Sequence, residues 1–516
     1  MHVFKHEQAT RTLANTVFVY VLNGYSNNMT SDFIKQKSIT GAKWTIIISA
    51  FALPLNYFLN MILGRVSPEV LGTYASIQIF IQALPVFVLF SGASILANFI
   101  PKIQKKDNIP KFLFTYNVII IITMVFFITA LFFSPSVFRF LFKQNITKLL
   151  FYFLLAFIPV CTLFQMVLHS LYGILEIKIS SILGRIQLFG LSIIVIFFVT
   201  FQKKIFESNY FSIILTSVFF FNMIGFIIGA GVLLRRVNFS KAFSFYLPAG
   251  FWRFSFSLQL GSLFAYGFTN IDRLFVLKLG DLNQLGLYQA VISIWMLIDF
   301  FPQLLLRVLV PMFSSYIAQG DKETIKKSYS IIERYCIFVA ISVGIFIVSF
   351  SKELLSIFGE QYTDNYLFLI ILAVGSSFGT LQYVNNPLLI STEKNKERVL
   401  NSVIRIGIQL LLTLLLLEKF GVLGIVLARV SALVAGQIIP IYVVTKKLPY
   451  DIKVPREFYF GSLSMLLCGG LCCIAGEHNI IYSMSVFSLV ILLFIISAHY
   501  RLNDLKFVFN LILGKR

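Results

Sequence analysis

The sequence predicts an all-α integral membrane protein of about 14 transmembrane helices, arranged as two parallel six-helix lobes plus two C-terminal helices. Three observations predict it. First, the 516 residues are 58% hydrophobic and only 13% charged, whereas soluble domains carry roughly 25% charged residues. Second, the apolar residues gather into runs near the ~20 residues needed to cross the hydrocarbon core. Third, the runs repeat within the chain.

Residues 1–40 are polar and mixed and read as a cytoplasmic N-terminal segment. The apolar stretch Thr16 to Leu22 is too short to span and lacks a small-residue cleavage site, so it is not a signal peptide. Met29 opens a stretch that reads as a natural start, so residues 1–28 are expected to be dispensable. The expected spans follow at 42–63, 73–100, 111–134, 149–174, 179–200, 209–234, 248–279, 284–316, 328–350, 364–390, 400–417, 421–444, 458–475 and 480–500. Pro54, Pro85, Pro159, Pro302 and Pro387 lie inside them. Neighbouring helices can satisfy the carbonyls a proline frees, so kinked spans are tolerated. Spans 1–6 (41–240) form one expected lobe, spans 7–12 (247–445) the other, and residues 450–516 hold spans 13 and 14 with a cytoplasmic tail.

The net charge is +21, yet the basic residues sit in short loops between apolar runs. The N-terminus, the even-numbered loops and the C-terminus hold about 27 Lys and Arg against about 9 in the odd-numbered loops. That asymmetry predicts cytoplasmic termini and requires no nucleic-acid partner. Cys161, Cys336, Cys468, Cys472 and Cys473 fall in or beside apolar runs without metal-ligand spacing. Neither a disulfide framework nor a metal or cofactor site is expected.

Every loop is about 15 residues or shorter, which leaves no room for an extramembrane catalytic domain. No phosphate-binding G-x-x-x-x-G-K-[ST] loop and no H-E-x-x-H motif occurs, so no enzyme activity is expected.

The repeat is seen at an offset of 214 residues. Asn56 matches Asn270, Leu63 matches Leu277, Leu71-Gly72-x-Tyr74 matches Leu285-Gly286-x-Tyr288, and Asp107 matches Asp321. Six spans per copy is an even number, so both copies insert with the same orientation. This is transporter architecture, with substrate expected between the lobes near the midplane and alternating access by rocking.

Charge inside the spans singles out candidates, because a charged group in the bilayer is costly unless paired or bathed in a wet cavity. Asp272, Arg273, Asp299 and Arg307 are the densest such set. Their counterparts in the first copy are Phe58, Leu59, Pro85 and Ala93, so packing alone does not demand charge there. Asp272 and Arg273 are cavity candidates that read as readily as residues snorkelling to the interface or, for Asp272, locking a neighbouring helix. Arg307 is the cavity candidate and Asp299 its pairing group. Arg429, a third of the way into span 12, serves either the cavity or an interhelical tie. Arg185 and Arg405 enter spans 5 and 11 from the cytoplasmic side, where arginine snorkels or greets an anion at the inner mouth. His169 reads as a hydrogen-bonded core residue.

The run Thr269-Asn270-Ile271-Asp272-Arg273-Leu274, with Leu279-Gly280 and Leu285-Gly286-Leu287-Tyr288-Gln289-Ala290, resembles helices seven and eight of bacterial polysaccharide flippases. Pro311-x-Phe313, Phe358-Gly359-x-x-Tyr362 and Gly421-x-x-Gly424-Ile425 add to the likeness. These flippases belong to the multidrug/oligosaccharidyl-lipid/polysaccharide exporter superfamily. The resemblance implies flipping of an undecaprenyl-diphosphate-linked oligosaccharide to the outer leaflet of a bacterial cytoplasmic membrane. No motor is expected in the chain, so an ion gradient, H+ or Na+, or substrate consumption on the far side is expected to drive it, with polysaccharide-assembly proteins as candidate partners. A cation-coupled multidrug exporter of the same fold is the main rival, although spans 1–3 lack the buried acid expected of it. A membrane glycosyltransferase or polymerase, and a scaffold subunit, are rivals from other classes.

Overall fold

The computed structural model describes residues 29–498, apart from 90–91, 101–102, 104–107, 144–146, 175, 238–243, 301, 303–308, 311, 315, 318–319 and 476–479. The described residues are almost entirely helical and hold no strand. The dispensability expected of residues 1–28 falls outside them. The chain divides into two compact units, one of Thr40–Ala290 with Ile357–Gly359, the other of the residues up to Ile39 with Val291–Ser356 and those from Glu360 on.

The first unit takes in α1 (Met29–Val66) from Thr40 on, then α2 (Pro68–Val88), α3 (Gly92–Phe99), α4 (Asn108–Phe132), α5 (Ser136–Phe142) and α6 (Lys148–Gly173). After them come α7 (Ile177–Leu183), α8 (Ile186–Phe201), α9 (Lys203–Arg236) and α10 (Phe251–Leu279), and α11 (Leu282–Trp295) crosses into the second unit. That unit continues with α12 (Lys322–Ser349), α13 (Ser351–Ser356), α14 (Tyr366–Gly379), α15 (Gln382–Ser391), α16 (Asn395–Phe420), α17 (Val422–Ala435), α18 (Ile438–Tyr442), α19 (Arg456–Ala475) and α20 (Ile480–Ser497).

Eleven helices among the described residues are long and apolar enough to cross a membrane, and the pair Glu360–Gly379 and Gln382–Ser391, bent by 43°, adds a twelfth if it is one span. Of the 14 expected spans, the other two fall on α10, which is long but rich in polar residues, and on α11 with the partly described stretch after it. Helix α1 starts earlier than the expected span, taking in polar residues from Met29. Extending a formed helix adds a hydrogen bond per residue, whereas nucleation is the costly step.

Local sequence sets the ends. Ser67 caps α2, its hydroxyl accepting from the Val70 N–H at 3.2 Å, with Pro68 at the first helical position. Proline suits that position because its missing N–H would be unpaired there anyway. Thr147 caps α6 in the same way, accepting from Leu150 at 3.3 Å.

In lipid the tails are as apolar as leucine, so helices associate by close packing rather than by the hydrophobic effect. Small residues therefore mark the crossings. Gly225 and Gly229, one turn apart on α9, face α6; a Cβ on them would lie 2.4 Å from Phe164 and 2.7 Å from Val167. In the second unit Gly375 receives Val430 and Gly344 receives Met465, at 2.6 and 2.8 Å from the same hypothetical atom. Facing outward are large apolar side chains such as Phe126, Leu149 and Ile474, a surface that suits hydrocarbon.

Around the repeated motif the first unit is tied by polar contacts. The Gln259 amide donates to the Val86 carbonyl, Tyr266 donates to the Ile79 carbonyl at 3.1 Å, and Asn270 donates to Gln82 at 3.3 Å. Together these hold α10 along α2. Gln289 donates to Asn60 at 3.3 Å, joining α11 to α1.

Candidate functional site

The site in the second unit begins with a break in a helix. Past Trp295 the backbone bonds shorten to i→i+3: Leu297 to Ile294, Ile298 to Trp295, Asp299 to Met296 and Phe300 to Leu297, at 3.0–3.2 Å. Pro302 gives the reason. Its ring clashes with the carbonyl four residues back, that of Ile298, and it has no N–H to offer there. Tightened turns within a helix often mark hinges. In the first copy of the repeat Val88 stands at the position of Pro302, and Pro85, the counterpart of Asp299, lies within a turn of the end of α2.

Asp299, half-buried in this turn, accepts a hydrogen bond from the Tyr383 hydroxyl. Tyr383 lies just past the 43° bend between α14 and α15, where the backbone again runs i→i+3 from Tyr383 to Thr380 at 3.2 Å. Each residue of the pair thus sits at a helix break.

Two guanidinium groups complete the site. Arg429 of α17 is only 4% exposed, with its Cζ 4.8 Å from the centre of the Trp295 ring. The indole is locked in turn, because Trp295 Nε1 donates to Ser376 Oγ at 2.5 Å and to the Leu372 carbonyl at 3.1 Å. A cation over an indole face is attracted by the ring quadrupole, more strongly when desolvated. Arg405 of α16 lies against Gly436, whose hypothetical Cβ would fall 2.5 Å from Arg405 Cδ. Both arginines are near enough to Asp299 to act on it electrostatically. Two cations facing one carboxylate leave a formal excess of positive charge, and arginine grips phosphate or carboxylate oxygens in pairs.

Of the residues singled out by sequence, the structure brings Asp299, Arg405 and Arg429 together. Arg307 lies outside the described residues. Asp272 and Arg273 belong to the first unit: Asp272 is fully buried and accepts from Tyr288 at 2.7 Å, tying α10 to α11, and Arg273, 5% exposed, donates to Asn270 at 3.3 Å. Arg185 sits half-buried before α8 in the same unit. Sequence reasoning missed Trp295, Ser376 and Tyr383. Trp295 was within reach, because it precedes Asp299 by four residues and so shares its helix face. Nothing in the sequence pairs Tyr383 with Asp299 across 84 residues.

The MatE family model matches residues 258–415, which span Asp272 through Arg405. Among solved structures, the lipid II flippase MurJ in an inward closed conformation aligns over 90% of this chain and 99% of its own, with TM-score 0.65 and 16% identity. An inward-facing multidrug resistance MATE family transporter of the MOP superfamily aligns over 83% of this chain and 99% of its own, with TM-score 0.58 and 12% identity. A MOP superfamily transporter from Pyrococcus furiosus aligns over 83% of this chain and 96% of its own, at TM-score 0.53 and 12% identity. No curated protein matches the chain by sequence. The chain is a multi-pass membrane protein with a MatE domain matched over residues 258–415, on the fold shared by the MurJ and MATE structures of the MOP superfamily.

Proposed function

We propose that this protein is a transporter that carries a lipid-linked oligosaccharide, an undecaprenyl-diphosphate repeat unit, from the inner to the outer leaflet for cell-surface polysaccharide synthesis. The observation that carries the reading is the pair of arginines, Arg405 and Arg429, set about Asp299 on a membrane fold. A diphosphate cannot cross hydrocarbon without partners for its charge, and guanidinium groups are the side chains that hold it bidentately. Arg307 is a further cation of this reading, expected to contact the head group, with Asp299 restraining the arginines around it. Arg185 remains a candidate for the inner mouth, and Asp272 and Arg273 for the cavity or for the tie between helices. The protein acts in the cytoplasmic membrane with both termini inside, alongside polysaccharide-assembly proteins. It performs no covalent chemistry and is driven by an ion gradient, H+ or Na+, or by substrate consumption outside.

The second reading, a multidrug exporter, is favoured by the likeness to MATE structures and by the aromatic and anionic groups Trp295, Tyr383 and Asp299, which suit an organic cation. The experiment that separates them is complementation of a flippase-deficient strain. Export of surface glycan that is lost in Arg405→Ala and Arg429→Ala, at normal membrane abundance, supports the flippase. Drug resistance without glycan export overturns it.

A further inference from the structure

A second polar cluster in the same unit lies apart from the arginines. Tyr329 and Glu333 are one turn apart on one face of α12, which places their side chains together. The Tyr329 hydroxyl lies 2.8 Å from Glu333 Oε1 and 2.6 Å from Asn385 Oδ1 of α15. Glu333 is 1% exposed, and its other oxygen, Oε2, is buried with no hydrogen-bond donor among the described residues. Tyr329 and Asn385 also line a small cavity with Leu381, Thr445, Lys453 and Val454. Lys453 and Val454 belong to the segment between α18 and α19, so the cavity reaches towards one end of the helices. Its wall includes Val444 and Thr445, within a π-helical turn at Val443–Lys447, and such turns are frequent at functional sites.

The donor count decides the chemistry. A phenol has one hydrogen to give, yet here it faces two oxygens that both accept. With Glu333 ionised, one short contact would set acceptor against acceptor, and a charged oxygen would be buried bare at Oε2, an arrangement that costs far more than a neutral one. With Glu333 neutral, the groups form one chain: the acid donates to Tyr329, and Tyr329 donates to Asn385. A rotated Asn385 amide would relieve the phenol but leave Oε2 bare, so the neutral acid fits better.

The charged groups around Glu333 do not replace that proton. On its own helix Arg334 pairs with Glu457 of α19 at 3.2 Å. Lys326, nearly two turns earlier, is bound to Asp451 at 2.6 Å. Lys453 lines the cavity together with Tyr329 and Asn385. Helices α14, α15 and α20 bring no charged residue.

We propose that Glu333 is a proton-binding site, loaded and unloaded through the cavity at Tyr329 and Asn385, and that it couples export to the proton gradient. On release the acid O–H bond breaks, the electron pair stays on the carboxylate, and the proton leaves by way of Tyr329 into the cavity. The coupling rests on the transporter reading above; the proton site itself does not.

Infrared difference spectroscopy of the purified full chain between acid and alkaline pH tests the site without any cargo. A protonated-carboxyl band that titrates away should be present in the wild type, persist in Asp299→Asn, shift in Tyr329→Phe and vanish in Glu333→Gln. The glutamine amide can still donate to Tyr329, so that variant keeps the chain of hydrogen bonds and the fold. A band that is missing from the wild type, or unchanged in Glu333→Gln, overturns the proposal. In proteoliposomes an imposed pH gradient should speed wild-type export about tenfold and leave Glu333→Gln unmoved. An equal response in both, or a response to Na+ alone, overturns the coupling. A wild type that shows the band and exports no lipid-linked glycan counts against the cargo proposed above while upholding the proton site.

Discussion

Gly72 and Gly286, the glycines of the two Leu-Gly-x-Tyr motifs, meet backbone to backbone. A Cβ on Gly72 would lie 1.8 Å from the Leu282 carbonyl oxygen, and one on Gly286 would lie 1.7 Å from that of Pro68. Each is also 3.0 Å from the other glycine's nitrogen. The same motif, 214 residues apart, thus packs against its own copy, and the first turns of α2 and α11 cross with no side chain between them.

Alanine at either glycine should therefore be costly, because the obstacle is backbone and cannot swing aside. Gly286→Ala is expected to destabilise the protein by about 2 kcal/mol or more, since overpacking a filled contact costs 1–3 kcal/mol. Gly407→Ala on α16, where a Cβ meets nothing within 4 Å, should leave stability unchanged or slightly raised. Thermal unfolding in detergent measures both, and equal melting of the two variants would remove the Gly72–Gly286 crossing as a structural constraint.

The Asp299–Tyr383 bond is expected to act as a unit. In a double-mutant cycle, Asp299→Asn and Tyr383→Phe should show a coupling of about 1 kcal/mol or more, as bonds to charged groups do. Surface glycan export should fall with either change and fall little further with both. Strictly additive losses would mean that the contact between the two helix breaks carries no weight.

Arginine at 429 should resist conservative replacement. Arg429→Ala is expected to abolish export, and Arg429→Lys to restore only part of it, because an ammonium is a point charge and cannot offer the paired grip. Trp295→Phe, which keeps a ring but loses the Nε1 bonds to Ser376 and Leu372, should lower export with membrane abundance unchanged. Export of Arg429→Lys at the wild-type level would show that charge alone suffices at this position.

Orientation has a direct test. A reporter active only in the cytoplasm should be active after Lys106, Arg236 or the C-terminus and silent after Gly280 or Lys419. The opposite result at any two sites would refute the assignment of loops to sides.

The flippase reading also predicts that Arg307→Ala loses surface polysaccharide at normal protein level and that Arg307→Lys recovers it in part. Full activity of Arg307→Ala would leave Arg307 as a packing or interfacial residue.

The sequence by itself determined the membrane fold, the helical runs and the repeat. Length, hydropathy and charge asymmetry act locally: a run either is long and apolar enough to cross hydrocarbon or is not. Charges stranded in such runs advertise themselves for the same reason, which is why Asp299, Arg405 and Arg429 were legible. Only the tertiary structure decided what those charges touch. Trp295 beneath Arg429, Tyr383 upon Asp299, and the hydroxyl of Tyr329 between Glu333 and Asn385 are contacts that helix crossings create, each reaching a residue dozens of positions away. Hydropathy is blind to them, because Tyr and Trp pass as apolar bulk until a polar tip finds its partner. Glu333 stayed hidden in this way, a single acid near the start of an apolar run. Its significance lies in an oxygen that the folded helices leave without a donor.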